Sequence, residues 1–207
     1  MTDQKPILAV FAGPNGSGKT TLTRIGYTNS MGLPRFYINA DSIAKDLSID
    51  AYRAALEAER LRNDAIAAGV SFVMETVMST PGKVEMLREA KRKGYHIHLE
   101  YITTQSPAIN VARVRNRVRD GGHDVPEEKI VSRYERSMRL LPEAARIADI
   151  AFIYDNSSTK PILIAEKSSD GQWRISPQIP PGYWNEQRIK TLLVIDDARV
   201  VRSMEGG

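Results

Sequence analysis

The sequence predicts an α/β fold with a mostly parallel, five-stranded sheet and helices on both of its faces. Apolar runs of strand length alternate with segments of helical periodicity from residue 7 to residue 155. Alternation of this kind requires crossover connections between parallel strands. After residue 156 the pattern changes to two short apolar runs, 161–165 and 172–175, around Ser-Ser-Asp-Gly, which is typical of an antiparallel hairpin.

Glycine and proline mark the boundaries between the predicted elements. Two Thr-Pro or Ser-Pro pairs, at 80–81 and 106–107, place proline in the first turn of a helix, and Gly121-Gly122 ends the second of these helices. Residues 51–68 lack both glycine and proline, and their apolar residues recur at spacings of three and four, which predicts a helix. Its expected buried face is Ala55, Ala58, Leu61, Ala65 and Ala68. The predicted strands are residues 7–11, 35–39, 71–75, 95–103 and 150–155.

The composition is that of a folded protein without disulfide bonds. Hydrophobic residues make up 42% of the chain and charged residues 26%, and cysteine is absent, which excludes a disulfide scaffold and a thiolate nucleophile. No apolar run approaches the length of a membrane span, and the N-terminus lacks a signal-peptide pattern, so we expect a cytoplasmic protein. The net charge of +4 suits a protein that binds anions such as nucleotides, but it does not by itself indicate nucleic acid.

A complete phosphate-binding loop (P-loop) motif lies between the first strand and a helix that begins near Thr20. Residues 13–20 match G-x-x-x-x-G-K-[ST] at every defined position. Glycines allow successive N–H groups to face a polyanion, and the helix N-terminus adds partial positive charge. Lys19 is expected to reach the β- and γ-phosphates of ATP, and the Thr20 hydroxyl to bind Mg²⁺. The residues expected to contact the nucleotide are Gly13, Pro14, Asn15, Gly16, Ser17, Gly18, Lys19, Thr20 and Thr21.

Asp41 follows the second predicted strand, in the segment Asn39-Ala40-Asp41. Ligands of open α/β sheets gather at the carboxyl ends of the strands. A carboxylate at this place could hold an acceptor hydroxyl in line with the γ-phosphate and take its proton. The alternative is that Asp41 caps the following helix. The spacing alone leaves both interpretations open.

Glu75 ends the third predicted strand, directly before Thr76. Three apolar residues followed by an acid place a carboxylate near the metal or the acceptor, although an ordinary acid at a strand end is the alternative. Two other apolar runs also end in acids, at 150–155 and 192–197. The second resembles the metal-binding strand of a motor protein, but it follows the hairpin, so we interpret it as a packing strand or helix.

Arginines are concentrated on two predicted helices joined by Gly121-Gly122. Arginines on paired helices can close over a triphosphate as a lid, stabilise the charge on the transferring group and exclude water. A solvated basic face and a track for RNA are the alternatives. The spacing does not decide which of them face the phosphates. These arginines are Arg113, Arg115, Arg117, Arg119, Arg133 and Arg136.

Taken together, these residues resemble the zeta toxin family of P-loop kinases, in its short bacterial branch. The resemblance spans about residues 7–175. It implies a phosphotransferase that uses Mg-ATP. Characterised toxins of the family phosphorylate the 3′-hydroxyl of UDP-N-acetylglucosamine, and an antitoxin that blocks the ATP site is their usual partner. The matching segments are GPNGSGKTT, INAD, FVMET, RVRDGGHDVPEEKIVSRYERS and ADIAFIYDNS.

The resemblance also implies roles for individual residues. Asp41 matches the family's catalytic aspartate, and Glu75, which Thr76 follows, matches the glutamate that helps to hold the acceptor. Arg117 and Arg133 match the arginines that grip the transferred phosphate, although Arg119 could replace Arg117 in this register. The best-known members are longer than this chain, which has less material for walls around a nucleotide sugar, so a different acceptor is the alternative.

The sequence therefore predicts an ATP-dependent kinase that phosphorylates a hydroxyl of a nucleotide sugar such as UDP-N-acetylglucosamine. The alternatives are a P-loop ATPase without a small-molecule acceptor and a polynucleotide kinase. We expect a nucleotide-sugar substrate and an antitoxin as partners, and neither nucleic acid nor a membrane. The expected kinase domain is residues 1–178, with a lid at about 113–136 and a hairpin at about 160–176. Residues 179–207 are expected to form a tail packed on this domain.

Overall fold

Seven strands form one sheet in the part of the chain that the structure describes, residues 5–23, 33–122, 124–179 and 182–201 of a computed structural model. The strand order is β2-β3-β1-β4-β5-β6-β7, and β1 to β5 pair in parallel. The strands are β1 Ile7–Ala12, β2 Tyr37–Ile38, β3 Phe72–Thr76, β4 His96–Thr103, β5 Ile150–Asp155, β6 Ile162–Lys167 and β7 Trp173–Ile175.

The helices lie between these strands and after the last of them. Helix α1 follows β1, and residues 19–23 are its described part, so the end of the predicted helix after the P-loop lies outside the described residues. Residues 1–4 and 123, the latter in the predicted lid, and residues 180, 181 and 202–207 of the predicted tail lie outside them too. The other helices are α2 Ala40–Leu47, α3 Ala51–Ala68, α4 Pro81–Arg92, α5 Pro107–Arg119, α6 Glu127–Ile147 and α7 Glu186–Leu193.

The predicted fold class is confirmed, but the prediction of a five-stranded sheet is wrong in its strand count. The hairpin extends the sheet, because β6 pairs antiparallel with β5 and β7 pairs antiparallel with β6. Only residues 156–161 separate β5 from β6. A parallel pair needs a crossover of about a dozen residues or more, so this short connection permits only antiparallel pairing.

The buried face of α3 differs from the predicted one. The structure buries Ala54, Ala58, Arg62, Ala65 and Ile66, whereas Ala55 and Ala68 are exposed. The helix carries two rows of alanines. The buried row includes an arginine, so the apolar pattern of the sequence did not identify it as the buried face. At this buried place Nη2 of Arg62 donates to the carbonyl oxygens of Ile38 and Glu75, at 3.5 and 3.3 Å, and these bonds offset part of the cost of burying the charge.

The main core lies between one face of the sheet and helices α3, α4, α6 and α7. Strand β1 is buried on both faces, with Leu8 and Val10 in the main core and Ala9 and Phe11 in a smaller cluster, as expected for a central parallel strand. The apolar run near the C-terminus ends helix α7, whose residue Leu193 joins the core. In the described residues, no helix has the length and hydropathy that crossing a membrane requires.

Candidate active site

The P-loop connects β1 to α1, and three of its glycines occupy places that no other residue fits. Gly13, Gly16 and Gly18 all have positive φ angles, of 143°, 75° and 95°. A Cβ atom at Gly13 would lie 1.9 Å from the carbonyl oxygen of Ile102, and one at Gly16 or Gly18 would lie 2.6 or 2.3 Å from its nearest neighbour. The loop therefore keeps the tight, side-chain-free curve that brings backbone N–H groups to a phosphate.

Lys19 lies at the start of α1, where its ammonium group donates to the carbonyl oxygen of Pro14 at 2.9 Å. Burial lowers the pKa of Lys19 to about 8. The carboxylates of Glu75 and Asp41 raise this pKa, and the Arg117 guanidinium lowers it further. Groups from β3, α2 and α5 thus lie within electrostatic reach of the lysine that the motif assigns to the phosphates.

Glu75 receives hydrogen bonds from two sides at the carboxyl end of β3. The Thr20 hydroxyl donates to its Oε2 atom at 3.0 Å, and the Tyr37 hydroxyl donates to its Oε1 atom at 2.5 Å. Asn39 Nδ2 in turn donates to the Tyr37 hydroxyl at 2.7 Å. Burial and the bond to Glu75 raise the pKa of Tyr37, so its phenol remains a donor.

The oxygen atoms of Thr20 and Glu75 fit a magnesium ion. Mg²⁺ prefers hard oxygen ligands and commonly takes only one or two of them from the protein, the rest from water and phosphate. No group of three or more His, Cys, Asp or Glu side chains able to hold a metal occurs among the described residues. Thr20 and Glu75 would therefore supply at most two ligands of such an ion, and water and a nucleotide would supply the rest.

Asp41 lies in the first turn of α2 and its side chain does not cap the helix. The cap is Asn39, whose Oδ1 atom accepts a hydrogen bond from the Asp41 backbone N–H at 2.8 Å. The helix-cap interpretation of Asp41 is therefore wrong, and the signal for the true cap was the asparagine two residues earlier. Asp41 is exposed.

Arg117 and Arg133 approach the P-loop from α5 and α6. Arg117 lies near enough to Lys19 to affect its pKa, and a Cβ at Gly122 would lie 2.6 Å from Arg117 Cγ, so the glycine leaves room for this side chain. Arg133 donates to the side-chain oxygen of Asn15 at 3.5 Å. The structure therefore brings both arginines towards the loop from separate helices.

The remaining predicted lid arginines have other neighbours. Arg113 donates to the carbonyl oxygens of Ser157 and Ser158, at 3.5 and 3.1 Å. Arg115 forms an ion pair with Glu127 at 2.5 Å, and Arg119 is exposed in the last turn of α5. Arg136 Nε donates to the Ser79 carbonyl oxygen at 3.1 Å.

Thr76 ends strand β3 and was predicted to bind the substrate that accepts the phosphate. Its hydroxyl oxygen accepts a hydrogen bond from the Met78 N–H at 3.0 Å.

A cavity of about 580 Å³ adjoins the P-loop on the side of the loop that follows β5. Its volume lies in the range of ligand pockets. The predicted nucleotide residues Gly18 and Thr21 and the predicted lid arginine Arg113 line it. The contribution of residues 156–159 was missed, although a strand end in an α/β sheet was a usable signal. The lining comprises Gly18, Thr21, Leu22, Ile102, Arg113, Asn156, Ser157, Ser158, Thr159 and Pro161.

Comparison with known proteins gives a family and several similar structures. The family model described as Zeta toxin matches residues 48–167, more than half of the chain. An uncharacterized protein of Haemophilus influenzae is 33% identical over 132 residues, which are 60% of this chain and 89% of that protein.

The similar solved structures share the fold at low sequence identity. A chain from the PezAT chromosomal toxin-antitoxin system of Streptococcus pneumoniae is 19% identical, with a TM-score of 0.57 over 94% of this chain and 86% of that one. In the AvrRxo1-ORF1:AvrRxo1-ORF2 complex with sulphate ions the identity is 13% and the TM-score 0.65, over 92% of this chain and 64% of that one. For the same complex with ATP the TM-score is 0.64, over 97% of this chain and 73% of that one.

The complete P-loop and the family match over more than half of the chain agree with one another. The chain belongs to the zeta toxin family of P-loop kinases and is an ATP-dependent phosphotransferase.

Proposed function

We propose that the chain transfers the γ-phosphate of ATP to a hydroxyl group of a nucleotide sugar such as UDP-N-acetylglucosamine. The observation that carries the proposal is the convergence of side chains on the P-loop: Thr20 donates to Glu75, and Asp41 and Arg117 lie near enough to Lys19 to shift its pKa. Lys19 thus lies near the proposed base Asp41, the second carboxylate Glu75 and an arginine. Family membership supports the same reaction class.

On the nucleotide side, backbone N–H groups of the P-loop and the Lys19 ammonium hold the β- and γ-phosphates. Arg117 and Arg133 stabilise the charge on the transferring group, from opposite helices of the lid. Thr20 and Glu75 are the residues that would hold Mg²⁺, which when bound neutralises phosphate oxygens. The cavity beside the loop takes the base and ribose, with Arg113 at its edge.

On the acceptor side, Asp41 accepts the proton of the attacking hydroxyl and holds that hydroxyl in line with the γ-phosphate. Glu75 retains unused lone pairs after accepting bonds from Thr20 and Tyr37, so it can also bind a hydroxyl of the acceptor. The Thr76 hydroxyl accepts from the Met78 N–H and keeps its own proton, which it can donate to an oxygen of the acceptor.

We also propose the division of the chain and its partner. Residues 1–178 would form the kinase domain and residues 179–207 a tail packed on it, which is supported by the burial of Trp184, Ile189 and Leu193 in the main core. A protein antitoxin is the proposed partner. The similarity to a chain of the PezAT toxin-antitoxin system supports this proposal.

The test is phosphate transfer from γ-labelled ATP with Mg²⁺, first to UDP-N-acetylglucosamine and then to a panel of nucleotides, sugars and short RNAs. A labelled UDP-sugar that disappears with Asp41→Asn supports the proposal. Asp46→Asn is the matched control, because this exposed acid lies on the same helix. Labelled inorganic phosphate alone would contradict the proposal and favour an ATPase, and a labelled RNA end would favour a polynucleotide kinase.

A further inference from the structure

Two asparagine side chains bind backbone carbonyl groups of the P-loop in the described part of the chain. Asn110, which is completely buried on α5, donates from Nδ2 to the carbonyl oxygen of Asn15 at 2.5 Å. Asn156, directly after β5, donates from Nδ2 to the carbonyl oxygen of Ser17 at 2.8 Å. Both contacts join residues far apart in the sequence.

Each bond fixes the direction of an N–H group as well as that of a carbonyl group. A trans peptide unit is planar, and its C=O and N–H point in opposite directions. The carbonyl of Asn15 shares its peptide unit with the N–H of Gly16, and the carbonyl of Ser17 shares its unit with the N–H of Gly18. Asn110 and Asn156 therefore each fix the direction of one carbonyl, and each thereby directs the N–H of the same peptide unit the opposite way.

The surrounding contacts hold Asn110 in the required orientation. A carbonyl oxygen only accepts hydrogen bonds, so the amide nitrogen of Asn110 must face Asn15. The amide oxygen accepts a hydrogen bond from the Thr104 hydroxyl. Gly16 also packs against the Asn110 backbone, since a Cβ there would lie 2.6 Å from the Asn110 carbonyl oxygen.

We propose that Asn110 and Asn156 are positioning residues that orient the Gly16 and Gly18 N–H groups towards the phosphates of the nucleotide. This inference rests on the nucleotide site of the proposed function, but not on the identity of the acceptor. The role is more than structural because Asn110 acts on the phosphate-binding backbone without lining the cavity proposed for the base. Loss of its side chain should therefore weaken binding of phosphates and spare binding of a nucleoside.

The experiment measures dissociation constants for AMP-PNP with Mg²⁺ and for adenosine, by calorimetry or by ligand-observed NMR. For Asn110→Ala we expect the constant for AMP-PNP to rise about 10-fold, as for one lost hydrogen bond, and that for adenosine to stay within about 2-fold. Asn156→Ala is expected to weaken AMP-PNP binding similarly. Asn116→Ala, an exposed asparagine on α5, is the matched control and should leave both constants unchanged.

Thr104→Val is the second variant, because it keeps Asn110 and removes the hydroxyl that contacts the Asn110 amide oxygen and the Ser106 carbonyl oxygen. It should weaken AMP-PNP binding by a smaller factor, and it serves as the test if Asn110→Ala does not fold. Unchanged AMP-PNP binding in a folded Asn110→Ala or Thr104→Val variant would overturn the inference. Equal losses of affinity for AMP-PNP and for adenosine would also overturn the inference, because they would indicate a general loosening of the protein structure. A wild-type protein that binds AMP-PNP but phosphorylates no acceptor contradicts only the proposed function.

Discussion

The P-loop and the side chains that face it are held in different ways. The loop backbone is fixed by glycines with no space for a Cβ and by the buried side chain of Asn110. Asp41, in contrast, is an exposed side chain on helix α2. The difference teaches that the loop of the proposed nucleotide side is held by close backbone and buried side-chain contacts, and that Asp41 on the proposed acceptor side has more freedom. Substitutions on the nucleotide side should weaken ATP binding, and substitutions on the acceptor side should slow phosphate transfer.

The largest effect is expected on the nucleotide side, from Lys19→Ala. The variant loses the ammonium group that reaches the phosphates, so transfer should fall by on the order of 10³ and AMP-PNP binding should weaken as well. Lys93→Ala, an exposed lysine after α4, is the control. Steady-state transfer rates and calorimetry measure both quantities. Wild-type transfer by Lys19→Ala would contradict the assignment of the P-loop.

On the acceptor side, Asp41→Asn should slow transfer by about 10² and leave AMP-PNP affinity within about 2-fold, because a general base acts in the chemical step. The melting temperature should not change, since Asn39 and not Asp41 caps α2. Transfer assays, calorimetry and thermal denaturation measure the three quantities. If the variant instead melts earlier and transfers normally, Asp41 has a structural role.

The pH dependence of nucleotide binding sharpens the comparison, because it follows the Lys19 pKa of about 8. Burial favours the neutral amine in the free protein, whereas phosphates bind the ammonium form. AMP-PNP affinity should therefore fall as the pH rises through about 8, by up to about 10-fold per unit. The Lys19→Arg variant is the reference, because its arginine remains charged over this range. AMP-PNP itself titrates in the same way with both proteins, so a difference between the two affinity profiles comes from Lys19. Identical profiles for the two proteins would contradict the role of Lys19 titration.

Asn39→Ala is expected to have the smallest effect, and it tests how firmly the acceptor side is held. Loss of the cap should lower the free energy of unfolding by about 1 kcal/mol. Transfer should fall by less than in Asp41→Asn, because the bond to Tyr37 is lost but the carboxylate remains. Asn185→Ala removes the cap of α7 and is the matched control for urea denaturation. A similar loss of stability with unchanged transfer in both variants would show that the cap does not position Asp41.

The same comparison explains how much of the molecule was predictable from its sequence. The P-loop and the strands of the parallel sheet depend on short segments with local signals, and these predictions agree with the structure. The buried face of α3 did not follow its alanine pattern, because Arg62 finds carbonyl partners on β2 and β3 that only the folded chain brings near.

The supporting network of the site was also beyond the reach of a single sequence. Tyr37 contacts Glu75 across 38 residues of sequence, and Asn110 contacts Asn15 across 95. Such pairs have no periodic pattern and depend on tertiary packing. Asn39 was the exception, because an asparagine before the start of a helix is a recognisable cap.

The most direct test of the central claim is the rate of ADP formation with and without UDP-N-acetylglucosamine, in the wild-type protein and in Asp41→Asn. A kinase with Asp41 as its base should form ADP much faster when the acceptor is present, and Asp41→Asn should remove this stimulation alone. ADP formed at the same rate without the acceptor, and equally by both proteins, would contradict the claim.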